Sequence, residues 1–141
     1  MLLLVTALEF VTKKMKMKNL IVDAATDKIF FKIIVDKESY TSEYINSREN
    51  FDNFAQLLFG FLKDNKTSIE EINNIFVNQG PGKFSGIRIS VSIVKALSVT
   101  NKLNLYGFNS KQVKNCDYNK IIDLFNKGML IKNLIKPQYL S

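Results

Sequence analysis

The chain runs Asn78-Gln79-Gly80-Pro81-Gly82-Lys83-Phe84-Ser85-Gly86-Ile87-Arg88-Ile89 and on through Ser90-Val91-Ser92-Ile93-Val94-Lys95-Ala96-Leu97-Ser98, and two periodicities compete in that stretch. Ile87, Ile89, Val91 and Ile93 alternate with Arg88, Ser90 and Ser92, the period of two that marks a strand. Wound as a helix, the same residues place Ser85, Arg88, Ser92, Lys95 and Lys102 on one narrow polar stripe, broken by Val99. Phe84, Ile87, Val91 and Val94 then form one apolar flank, and Ile89, Ile93, Ala96 and Leu97 the other. Such a helix has two greasy sides, so it lies between its own sheet and a second body. Local rules leave the choice open.

Upstream, Ile75-Phe76-Val77 reads as a buried strand, so the glycines and proline sit at a strand end. Glycine there lets the backbone turn sharply and approach a neighbour closely, because it has no Cβ and tolerates positive φ. Loops of this composition often hold phosphate, but the spacing fails both common motifs. A P-loop would need a glycine at Val77 and a Ser or Thr at Phe84. Gly80, Gly82 and Gly86 also miss the dinucleotide fingerprint, whose third glycine falls three positions after the second.

Working outward, Asn19–Ala24 and Ile29–Val35 are β-rich runs joined by a Thr26-Asp27-Lys28 turn, and Tyr40–Ile45 follows Asp36-Lys37-Glu38 as a third strand. Ser47 caps a helix whose apolar positions Phe51, Phe54, Ala55, Leu58, Phe61 and Leu62 recur at helical spacing. Leu57 and Phe59 lie off that stripe, so this helix too is apolar on more than one side. Thr67-Ser68 with Glu70-Glu71 provides a capping box before Ile75. Leu103–Phe108 reads as another strand, and Tyr118–Lys127 as a last helix.

Composition bounds the chemistry. In 141 residues there are 20 Lys and Arg against 13 Asp and Glu, no His and one cysteine, Cys116. Those counts exclude Ser-His and Cys-His nucleophile pairs and an intramolecular disulfide, and they remove most zinc sites. The net charge of +7 favours acidic partners such as RNA. Residues 1–12 are apolar but too short for a membrane span and lack the basic lead of a secretory signal. Residues 1–16 therefore read as an N-terminal extension, from an over-long start or a disordered tail, and the location as cytoplasmic.

The run Gly80–Ser98, GPGKFSGIRISVSIVKALS, resembles the signature of the TsaB (YeaZ) family, GPGSFTGLRIG followed by a Lys-Ala/Gly helix, with Lys83 and Ser85 as the polar departures within the loop. The opening MKNLIVDAATDKIFFKII and the ending Lys136-Pro137-Gln138-Tyr139-Leu140 are similar to the same family. The resemblance implies an α/β, actin-like ATPase or RNase H-like fold of one lobe. Its mixed sheet has three antiparallel strands followed by helix, strand, helix and strand, which makes the segment after the loop helical. Residues 17–110 would form the lobe, and 111–141 a residual C-terminal segment where family members carry most of a second lobe.

The resemblance also implies a non-catalytic scaffold for N6-threonylcarbamoyladenosine formation in tRNA. Family members pair as a heterodimer with the catalytic paralogue TsaD, which acts with TsaE and ATP in a larger complex, so tRNA is met indirectly. A homodimer is the companion expectation when TsaD is absent. No catalytic residue, metal or cofactor is expected, and ATP binding is not expected without an inter-lobe cleft. The loop motif Gly80, Pro81, Gly82, Lys83, Phe84, Ser85, Gly86 and Arg88 is the candidate site, with Arg88 in a structural ion pair that orders the loop. Phe54, Leu57, Leu58, Phe61, Ile89, Ile93, Ala96 and Leu97 are the candidate partner interface. Asp23 and Thr26 stand where active superfamily members bind phosphate, but Ala24-Ala25 replaces the admitting glycine. The plainer reading of Asp23 is a turn cap. A two-metal nuclease would use Asp23 and Glu49 but finds Asn78 at its third position. The alternatives to a scaffold are a nucleotide-binding ATPase-like protein and a small tRNA-binding module with no enzyme partner.

Overall fold

The computed structural model describes residues 16–133 and 135–139; all of the expected N-terminal extension except Lys16 lies outside them. Strands β1 (Lys18–Asp23), β2 (Lys28–Val35) and β3 (Glu38–Ile45) form an antiparallel meander. Helices α1 (Arg48–Asp52) and α2 (Phe54–Asp64) follow, then β4 (Asn74–Asn78), α3 (Phe84–Asn101), β5 (Asn104–Phe108), α4 (Asn119–Asn126) and the two-residue β6 (Ile131–Lys132). The sheet order is β3-β2-β1-β4-β5-β6, with β4 parallel to both β1 and β5.

That parallel pairing decides the ambiguous stretch. Adjacent parallel strands need a long crossover, which a helix supplies and an extra strand does not. Residues 84–101 are accordingly helical, burying Gly86, Ile87, Ser90, Val91 and Val94. The hydroxyl of Ser90 donates to Ile87 O at 3.1 Å, so a serine on the buried side is satisfied within the helix. The helix expected to run unbroken from Ser47 to Leu62 is instead two, with Asn53 (φ −105°, ψ 17°) as the joint. Ser47 caps the first by accepting from Asn50 N at 3.2 Å.

Each central strand alternates between two cores. Leu20, Val22, Phe31, Ile75 and Val77 face α2 and α3, where they meet Phe54, Leu58, Phe61, Ile87 and Val91. Ile21, Phe76 and Phe108 point the other way, onto Val113, Tyr118 and Ile121. The segment after Ser110 thus supplies the sheet's second apolar cover and, through β6, its last strand. Phe54, Leu58 and Phe61, expected at a partner interface, are corrected by this packing. They are 0%, 0% and 1% exposed, because the face of α2 that carries them is pressed on the sheet.

An asparagine ladder pins the register at the strand starts. Asn19, Asn74 and Asn104 lie opposite one another on β1, β4 and β5. Asn74 Nδ2 donates to Asn19 Oδ1 at 2.9 Å, and Asn104 Nδ2 to Asn74 Oδ1 at 3.3 Å. Asn74 is buried, so Asn74→Ala should lower stability by about 1–3 kcal/mol by leaving the buried Asn19 Oδ1 without its donor. A urea titration checks this, and an unchanged midpoint would show that the ladder contributes nothing.

A closed glycine loop and an open aromatic rim

The loop between β4 and α3 meets the ends of β1 and β4, where a polar network is built inward from Asp23. Asp23, 5% exposed, accepts from Ala25 N at 3.0 Å and Asn78 Nδ2 at 3.1 Å through Oδ1, and from the Tyr118 hydroxyl at 2.8 Å through Oδ2. Asn78 Oδ1 in turn accepts from Gly80 N at 2.8 Å, and the Ser110 hydroxyl donates to Pro81 O at 2.8 Å. The Gly80-Pro81 peptide is cis, and Gly80 holds φ +106°, which glycine supplies without strain. All of these donors belong to the chain itself, so Asp23 caps a turn and ties the C-terminal segment to the sheet.

The other two glycines serve contact between backbones. A Cβ on Gly82 would overlap the Ala25 carbonyl, and one on Gly86 the Ala24 carbonyl. Lys83 N donates to Ala25 O at 2.9 Å across the same junction. The glycine loop and the Ala24-Ala25 turn therefore meet backbone to backbone. Thr26 does not join Asp23: it is exposed at the turn, where its carbonyl accepts from Asn46 Nδ2. Among the described residues no three acidic or cysteine side chains lie close enough to hold a metal ion.

Two side chains of the loop motif take partners that the sequence did not indicate. Lys83 pairs with Asp27, and this ammonium, by hydrogen bond and then by charge, holds the Asp27 carboxyl below the usual carboxylate range. Arg88, expected in an ordering ion pair, forms none among the described residues. It lies on the solvent-facing stripe of α3, with its guanidinium carbon 5.8 Å from the centroid of the Phe84 ring. Phe84 itself, 52% exposed, meets Tyr139, 41% exposed, with ring centroids 4.4 Å apart and tilted 39°. Neither Tyr118 nor Tyr139 stood among the sequence candidates. Their partners lie 95 and 55 positions away, beyond any local periodicity.

Of the expected interface, Leu57, Ile89, Ile93 and Leu97 are half-buried and Ala96 is exposed. Val99, 80% exposed, is one turn beyond Ala96, and Phe59 of α2 is 44% exposed. Among the described residues no helix is long and apolar enough to cross a membrane.

The family model described as "TsaD: tRNA N6-adenosine threonylcarbamoyltransferase" matches residues 38–115, from β3 through the glycine loop and β5. The chain is similar to the tRNA threonylcarbamoyladenosine biosynthesis protein TsaB of Buchnera aphidicola subsp. Schizaphis graminum (strain Sg). They are 26% identical over 94 residues, 67% of this chain and 45% of that protein. The protein of the same name from Escherichia coli (strain K12) is also 26% identical over 94 residues, 67% of this chain and 41% of its own length. In structure the chain is similar to YeaZ from Pseudomonas aeruginosa, with a TM-score of 0.63 at 15% identity over 69% of this chain and 46% of that one. It therefore spans less than half the length of each of these relatives. The structural likeness shows a shared α/β lobe of the actin-like, RNase H-like kind.

Proposed function

The chain belongs to the TsaB (YeaZ) family, and from that premise we propose that it is a non-catalytic partner subunit in forming N6-threonylcarbamoyladenosine in tRNA. Its partner is TsaD, with TsaE joining the larger complex. The observation that carries the reading is the half-open apolar strip on α3 formed by Ile89, Ile93, Ala96 and Leu97, beside α2 with its Leu57. Aliphatic side chains left partly open in a row along one helix are what a stable protein interface covers. A match to the transferase's family model is what a paralogue of the transferase gives. The filled junction between the glycine loop and Ala24-Ala25 supports a scaffold over a nucleotide-binding enzyme.

Two measurements test this. The chain should restore threonylcarbamoylated tRNA to a cell depleted of its own TsaB, and it should co-elute with TsaD. Leu57→Asp and Ile89→Asp each put a charge where the partner would exclude water, so each should abolish co-elution while the free chain stays folded. Without TsaD the same strip should be covered by a second copy, giving a homodimer that the aspartates dissociate. A chain that stays monomeric beside TsaD, or aspartate variants that co-elute unchanged, would overturn the proposal.

A further inference from the structure

The rim of the glycine loop bears a feature that the scaffold role does not use: two touching aromatic rings and a guanidinium, all open to water. Phe84 opens α3, Tyr139 is brought beside it by the C-terminal tail, and Arg88 stands one turn along α3 with its charge 5.8 Å from the Phe84 centroid. The rings are not required to anchor that tail. Its backbone is already held, by Gln138 N donating to Gln79 O at 2.6 Å and by a β-bridge from Tyr139 to Gly82, and Ile135 is 1% exposed in the core. Large apolar rings left about half exposed and side by side mark a contact surface.

We infer that Phe84, Tyr139 and Arg88 form a stacking site for an unpaired base of RNA. Aromatic faces accept any base, and a free guanidinium beside them stacks on the base or meets the adjoining phosphate. The alternative occupant, a protein hot spot, uses the same residue types. The charge separates the two: Arg88 carries no ion pair among the described residues, and the whole chain is at +7. The site is also available in the complex proposed above. At about 100° of rotation per residue, Phe84 and Arg88 lie about 100° to 180° around α3 from Ile89 and Ile93. A partner on the apolar strip leaves them open. The choice of RNA over another polyanion rests on the tRNA-modification reading.

The test uses the whole chain with a labelled single-stranded oligouridine and, as competitor, a duplex RNA of equal length. Phe84→Leu and Tyr139→Leu keep apolar bulk but remove the stacking face, and each should weaken single-strand binding about tenfold. Tyr139→Phe should bind like the parent, Arg88→Gln should weaken binding, and the duplex should compete poorly because its bases are already stacked. Should Phe84→Leu fail to fold, Tyr139→Leu and Arg88→Gln at exposed positions still decide. Folded leucine variants that bind oligouridine like the parent, a parent that does not bind it, or a duplex that competes equally would each overturn the site. Co-elution of the same variants with TsaD separates this from the scaffold reading. Retained co-elution with unchanged RNA binding sinks the stacking site alone. Lost RNA binding in a chain that never pairs with TsaD sinks the scaffold alone.

Discussion

Replacing Tyr118 by alanine is expected to remove most of the chain's folding stability. The ring is 8% exposed, stacks on Phe30 with centroids 4.4 Å apart and 11° between planes, and meets Phe108 edge-on at 6.5 Å. Deleting a buried aromatic side chain costs about 3–5 kcal/mol in transfer and cavity terms. The hydroxyl adds a separate loss, because Asp23 Oδ2 is left in the interior without its 2.8 Å donor, worth roughly 1–3 kcal/mol. Against a total of about 5–15 kcal/mol for a domain, that sum is most of the margin. Tyr118→Phe separates the two terms: it keeps the stacking and should show only the smaller loss. Urea unfolding followed by circular dichroism gives both values. A Tyr118→Ala midpoint close to that of the parent would mean that the segment after Ser110 does not seal the sheet.

How much of this was legible beforehand depends on the range over which each feature is encoded. The β1–β3 meander follows from runs of β-branched and aromatic residues broken by polar turns, and those runs are strands as read. The helix after the glycine loop was undecided by its own residues, since Ile87, Ile89, Val91 and Ile93 alternate as a strand would. It is fixed by the parallel pairing of β4 with β5, and only the family resemblance carried that information to the sequence. The apolar stripe on α2 and its off-stripe residues Leu57 and Phe59 fall as read; the error was to place Phe54, Leu58 and Phe61 of that stripe at a partner interface. Phe54, Leu58 and Phe61 lie on the sheet-facing side and are core, while Leu57 and Phe59 point off it. For Arg88, helical phase alone puts the side chain on the polar stripe, and solvent on that stripe removes the need for a buried counter-ion. What no local pattern could supply is the pairing of residues far apart in the chain, Tyr118 with Asp23 and Tyr139 with Phe84.

Gly86→Ala should unfold or severely weaken the protein, and the sign of that effect tells what the loop's glycines are for. In a helix, alanine is preferred over glycine by about 1 kcal/mol, so propensity alone predicts a gain. Gly60, in α2, is the control, because a Cβ there meets nothing within 4 Å; Gly60→Ala should therefore stabilise by about 0.5–1 kcal/mol. At Gly86 the same methyl group lands on the Ala24 carbonyl oxygen and 3.1 Å from Asn46 Nδ2. Neither can yield cheaply. Asn46 Nδ2 donates to Ala24 O at 3.3 Å and Lys83 N to Ala25 O at 2.9 Å, so relief means lifting the start of α3 off the β1–β2 turn. Overpacking of that severity costs about 3 kcal/mol or more, which outweighs the propensity gain and leaves a net loss of at least about 2 kcal/mol. A loop whose glycines existed to admit a phosphate would respond differently, because alanine would fill an open space, leave the fold intact and abolish nucleotide binding. Thermal melts of the parent, Gly60→Ala and Gly86→Ala, each with and without ATP, separate the cases. If Gly86→Ala melts no lower than the parent and only an ATP-dependent shift disappears, the loop is a phosphate site and the scaffold reading loses the support of the filled junction.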